Sequence, residues 1–202
     1  LPLHEFAHAW AAYKMGDNTA KDSGRLTLNP LAHLDPRGSL LIIIAGFGFA
    51  KPVPVDPRNF KNRRVGELVT SIAGPVSNIL LAFVLLCVTK LGLYSTALYA
   101  TPAVSRALAG PLLMIEAMVY INCSLAVFNL LPFPPLDGWH VLAQFLPRPA
   151  YNWLTTRQQT LALILLAAVV FGLLDGLIGL LSGQLVSMLF TLTGFIEPLF
   201  GL

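Results

Sequence analysis

Glu67-Leu68-Val69-Thr70-Ser71-Ile72-Ala73-Gly74-Pro75-Val76-Ser77-Asn78-Ile79-Leu80-Leu81-Ala82-Phe83-Val84-Leu85-Leu86-Cys87-Val88-Thr89-Lys90 decides the fold class, because every residue between its terminal charges is uncharged. An α-helix needs roughly 20 consecutive apolar residues to cross the hydrocarbon core of a bilayer, and this stretch supplies them. Residues 159 to 181 form a second apolar run of similar length. A soluble core of this size needs no pair of such runs. Composition agrees: 55% of the 202 residues are hydrophobic and 11% charged, against about 25% charged in ordinary soluble domains.

Toward the C-terminus, the apolar run from Pro111 to Leu131 meets Pro132, Pro134, Pro135 and Gly138 in quick succession, which must break a helix. A broken helix at membrane depth is costly unless it builds a site. Gln158 to Leu181 and Gln184 to Phe200 supply the last apolar segments. Toward the N-terminus, Lys51-Pro52-Val53-Pro54-Val55-Asp56-Pro57 is restricted by proline to extended backbone. The apolar run Gly38 to Ala50 before it is too short to cross as a helix and reads as a re-entrant or interfacial hairpin. Leu3, Phe6, Ala7, Trp10 and Ala11 follow the helical period through residues 1 to 14, up to the breaker cluster Met15-Gly16-Asp17-Asn18. The chain thus begins in mid-helix without a signal peptide, and the expectation is that residues preceding Leu1 complete that helix.

These readings predict an α-helical integral membrane protein, one membrane-embedded domain over residues 1–202, with about five or six membrane segments and a short re-entrant β-like hairpin. Nine of the thirteen Lys and Arg lie between Lys14 and Arg64, whereas the stretch Gly92 to Gly110, expected to be a loop, carries only Arg106. The positive-inside rule therefore places the Lys14 to Arg64 side in the cytosol. Those charges flank apolar segments and are not interleaved with aromatics, so nucleic acid is a poor partner and the lipid bilayer a good one. Cys87 and Cys123 sit in apolar surroundings without metal-ligand spacing and read as small buried hydrophobes.

Chemistry concentrates in His4-Glu5-Phe6-Ala7-His8. Histidines four residues apart leave one face of a helix a turn apart, as two corners of a tetrahedral zinc site require. Glu5 then stands beside the metal without ligating it, free to take a proton from water. Three ionisable residues within five positions of an apolar helix are functional by default. A hydrolytic zinc needs a third protein ligand and an open position. Asp137, just after the broken helix, is one candidate; His140, three residues on, is its rival. His33, in a polar stretch, reads as a turn-stabilising ring.

Together the His4 to His8 motif, the Asn29-Pro30 to Asp35-Pro36-Arg37-Gly38 stretch, Lys51-Pro52-Val53, Gly74-Pro75-Val76-Ser77-Asn78 and Asn129-Leu130-Leu131-Pro132-Phe133-Pro134-Pro135-Leu136-Asp137-Gly138 resemble the site-2 protease family of intramembrane zinc metalloproteases. The resemblance implies that Asp137 is the third ligand of Zn²⁺ and that residues 39 to 58 line the substrate path. It further implies that a transmembrane protein or peptide is cleaved, that Asn129 binds the extended substrate or stabilises the oxyanion, and that Asn78 lies beside the site. It points to a multi-pass protein of a bacterial plasma membrane, and leaves the oligomeric state open. A metal transporter would also use intramembrane His and Asp, but it favours inverted repeats and serial sites, and the sequence has one site and no repeat. A zinc-binding scaffold would have no need of Glu5.

Overall fold

The computed structural model describes residues 2–35, 51–99 and 101–200, and the chain divides into two compact units, Leu1–Ser77 with Leu130–Ala162 and Asn78–Asn129 with Leu163–Leu202. Helices account for nearly all its regular structure. Among the described residues there is no strand, only a single bridge residue at Leu34. Of the expected hairpin over residues 39 to 58, residues 39–50 lie outside the described residues; Lys51 to Asp56 is non-helical and leads into a 3-10 turn at Pro57–Asn59.

The first unit opens with α1, Pro2–Met15, whose small residues Ala9, Ala11 and Ala12 are buried. Two short helices follow, α2 at Thr19–Asp22 and α3 at Pro30–His33, the latter capped by the Asn29 side chain, which accepts from the Leu31 N–H. The buried His33 ring bonds the Thr27 carbonyl at 2.8 Å, which closes the turn before α3. Asp17 ties this region together. Its fully buried carboxylate accepts from the Thr19 N–H at 3.0 Å, the Asn59 amide at 2.9 Å and the Asp56 N–H at 2.8 Å, so the end of α1 is fixed to the Asp56–Asn59 segment. Lys51 N–H donates to the His33 carbonyl at 2.9 Å, and the buried Arg25 guanidinium donates to the Lys51 carbonyl.

The long helix α4, Arg63–Tyr99, contributes its first four turns to this unit and carries Pro75 inside it. After the second long helix, α5 at Pro102–Leu130, comes the proline-rich turn and then α6, Asp137–Ala143. Gly138 allows that sequence of turns. A Cβ there would stand 2.2 Å from the Leu130 carbonyl oxygen, so any side chain would push α6 away from the end of α5. Two further helices, α7 at Arg148–Thr156 and α8 at Gln158–Val170, meet at a 68° bend.

The second unit packs α4, α5 and α9, Asp175–Leu192, around Ala82, Leu86, Val119, Cys123 and Leu189. Polar side chains here turn onto their own helices: Thr89 donates to the Leu85 carbonyl, Asn122 to Met118 and Thr193 to Leu189. That satisfies them without water, which an apolar surrounding demands. Lys90 is buried, donating to the Phe190 carbonyl and to Glu197, each at 3.0 Å. Outward-facing leucines, valines and methionines such as Leu80, Val84, Leu113, Met114 and Met188 remain exposed, as a lipid-facing surface requires.

Among the described residues three helices are long and apolar enough to cross a membrane, Arg63–Gly92, Arg106–Leu130 and Asp175–Pro198, and the bent pair Arg148–Thr156 plus Gln158–Val170 makes a fourth if it is one span. The chain is a multi-pass membrane protein. Two sequence expectations are corrected here. The apolar run 159 to 181 is not one helix: α8 stops at Val170, Gly172 takes a φ of 66°, and α9 restarts at Asp175. The stretch Gly92 to Gly110 is no long loop either, since α4 runs to Tyr99 and α5 begins at Pro102. Hydropathy marks apolar surface; it does not mark where a helix ends.

Candidate metal centre

α1 presents His4 and His8 on one face, their rings edge to face with centroids 4.6 Å apart. The two Nε2 atoms are 3.0 Å from each other and lie 3.2 Å and 3.3 Å from Asp137 Oδ2 at the start of α6. Their side chains are 5%, 11% and 19% exposed, respectively, for His4, His8 and Asp137. Among the described residues this is the group of three whose ligand atoms converge on one point.

The donor set fits a zinc ion. His8 Nδ1 is 2.7 Å from the Thr70 carbonyl, an acceptor, so Nδ1 carries the proton and a neutral His8 turns the Nε2 lone pair inward. Asp137 Oδ2 is buried, and its polar neighbours are the two Nε2 atoms. An inward lone pair beside a carboxylate oxygen is repulsive unless a cation lies between them. The spacing agrees, since metal–ligand bonds of about 2.0–2.1 Å in a tetrahedron separate ligand atoms by roughly 3.3 Å.

α4 frames the other side. A Cβ at Gly74 would stand 2.4 Å from His8 Nε2 and 2.6 Å from His4 Nε2, so this helix approaches the imidazoles as closely as a backbone can. Thr70 and Gly74 are one turn apart on the same face, one orienting the His8 ring and the other leaving space at the convergence point. Sequence reasoning missed both. A glycine followed by proline inside a spanning helix was the available signal for Gly74; a backbone carbonyl has no residue signature.

Glu5 is half-buried on α1 between the two histidines, and no hydrogen bond or ion pair is recorded for its carboxylate among the described residues. His140 is exposed, one turn beyond Asp137 on α6. Asn78 and Asn129 fall in the second unit: Asn78 is buried on α4, and the Asn129 amide donates to the Leu125 carbonyl of its own helix at 2.8 Å. The structure thus gathers His4, His8 and Asp137, with Glu5 alongside, and leaves His140 outside the converging set.

A helical, multi-pass membrane chain with a two-histidine, one-carboxylate centre and an adjacent free glutamate has the parts of a metallopeptidase. The chain belongs to Peptidase family M50, the site-2 protease family, whose family model matches residues 1–173. It is 46% identical over 149 residues to a Bacillus subtilis protein named "Putative zinc metalloprotease YwhC", covering 72% of this chain and 64% of that one. Two mycobacterial proteins named "Putative zinc metalloprotease Rip2" are also similar. That of Mycolicibacterium smegmatis is 34% identical over 147 residues, 70% of this chain and 52% of its own length. That of Mycobacterium tuberculosis H37Rv is 32% identical over 180 residues, 87% and 65%. The chain therefore spans about half to two-thirds of the length of these relatives. No solved structure matches it.

Proposed function

We propose that this chain is the catalytic membrane core of a zinc metalloprotease that hydrolyses peptide bonds in or near transmembrane segments, with His4, His8 and Asp137 as the metal ligands and Glu5 as the general base. The observation that carries the reading is the convergence of two imidazole Nε2 atoms and one carboxylate oxygen within 3.3 Å of one another beside an unbonded glutamate. Five or six membrane segments in a bacterial plasma membrane, with the Lys14 to Arg64 side in the cytosol, complete the proposal.

Bound zinc would supply Lewis acidity, polarising the scissile carbonyl and lowering the pKa of water toward about 7. Glu5 takes one proton from the attacking water as its oxygen bonds to the carbonyl carbon. It then gives that proton to the departing amine nitrogen as the C–N bond breaks. The Thr70 carbonyl holds the His8 ring in place throughout. A helical substrate must unwind before it reaches these groups, because its carbonyls are occupied by backbone hydrogen bonds. Extended substrate backbone needs polar partners at membrane depth, for which Asn129 and Asn78 are proposed.

Zinc content and turnover measured together on the Glu5→Gln protein test this assignment. The amide preserves size but accepts no proton from water, so bound zinc stays near one per chain and cleavage disappears. A Glu5→Gln protein that still cleaves its substrate contradicts the mechanism.

A further inference from the structure

α6 is held at both ends along one face. Asp137 meets the two histidines, and Gln144, at the other end, donates from its amide to Glu67 of α4 at 2.6 Å. His140 lies between them at helical spacings of three and four residues, so it shares that face. Trp139, its neighbour, is buried against the protein while His140 is exposed. The imidazole is within electrostatic reach of Asp137, Glu67 and His8, and makes no hydrogen bond among the described residues.

The neighbouring polar groups are committed or inaccessible. Within this unit, Glu67 accepts from Arg63 and Gln144, and the Thr70 hydroxyl is buried. Peptide hydrolysis builds negative charge on the carbonyl oxygen, and a donor positioned for that charge accelerates the step far more than it aids substrate binding. The proton that Glu5 takes from water is the one it delivers to the amine nitrogen, so Glu5 leaves that oxygen without a donor.

We propose that His140 is a second catalytic residue, donating its ring N–H to the scissile carbonyl oxygen as negative charge develops there. The inference rests on the zinc-protease reading and adds the group that stabilises the oxyanion. No bond to His140 forms or breaks in this role; the proton taken from water travels through Glu5.

The test compares full-length wild type, His140→Phe and His140→Gln in detergent with a transmembrane peptide substrate, and measures zinc content, kcat, KM and affinity for a phosphinic peptide carrying a tetrahedral oxyanion. The Phe protein should keep its zinc and its KM while kcat falls on the order of 100-fold. Phosphinic-peptide affinity should fall by the same factor as kcat/KM. The Gln protein, which keeps an N–H donor, should recover part of the loss. A Phe protein with full zinc and a kcat within about threefold of wild type overturns the role, and so does loss of zinc in both variants, which would make His140 a ligand. A wild type that cleaves equally well without zinc overturns the zinc-protease reading instead.

Discussion

His8 is constrained at both ring nitrogens, Nδ1 donating to the Thr70 carbonyl and Nε2 facing His4 and Asp137 at the candidate metal position, and this double constraint sets what a substitution near it does. Gly74→Ala puts a methyl group 2.4 Å from Nε2, a distance that forces either the ring or α4 to move. Displacing a ligand in this way costs roughly 10- to 100-fold in metal affinity. Zinc titration of the alanine protein should show that loss with helix content unchanged by circular dichroism; wild-type affinity would mean that α4 does not press on the site. Asp137 and His140 separate on charge as well as on geometry. Two neutral imidazoles and a carboxylate leave Zn²⁺ with a net charge of about +1, whereas three imidazoles leave about +2 at membrane depth, where charge is expensive. Asp137→Ala is expected to lose most of its zinc and all activity, while His140→Ala keeps its zinc and a measurable residue of cleavage. Zinc lost only from the His140 protein would show the ligands to be misassigned. The spacing of His4 and His8 predicted a shared helix face, which they have; between Asp137 and His140 the residues alone left the choice open, and the resemblance pointed to Asp137, whose carboxylate meets both rings. Thr70 and Gly74 were not, since each acts through a main-chain atom or a missing one.

At the scale of elements, the carboxylate of Asp17 joins α1 to the Asp56–Asn59 segment and so fixes the polar region between α1 and α4. Burial alone would push this carboxyl up, but donors from Thr19, Asn59 and the Asp56 backbone outweigh it and hold the group below its ordinary value. A depressed carboxyl contributes stability above its unfolded pKa and loses it as pH falls through the folded value. Protection from hydrogen exchange at residues 17–25 and 51–62 should therefore be high at neutral pH and be lost only below the ordinary carboxylate range. Asp17→Ala leaves four donors without their acceptor, at about 1–3 kcal/mol each where they stay buried, and should lose protection there at all pH values; protection unchanged from wild type would remove Asp17 from this role. Breaks between elements were the least legible part of the fold. The prolines after Leu131 announce theirs, but the interruption at Phe171–Leu174 falls inside an unbroken apolar run, where Gly172 is the main local cue.

Over the whole molecule, apolar runs carried the class and the basic bias between Lys14 and Arg64 carries the proposed orientation, because lipid imposes length and charge rules that act on sequence directly. The number of spans did not follow so simply, since the bent α7–α8 pair counts as one span or as none. In sealed vesicles of known orientation, a Cys placed at position 62 should react only with reagent on the cytosolic side; reaction only from the opposite side would invert the topology. The central claim joins the metal centre to a membrane substrate. It is tested most directly by incubating the purified full-length protein with a peptide that spans a detergent micelle as one helix, before and after zinc chelation and after zinc is restored. The account predicts cleavage that stops on chelation, returns with zinc, and is absent from the Glu5→Gln protein in all three conditions. Cleavage that survives chelation, or that the Glu5→Gln protein performs as well as wild type, would contradict it.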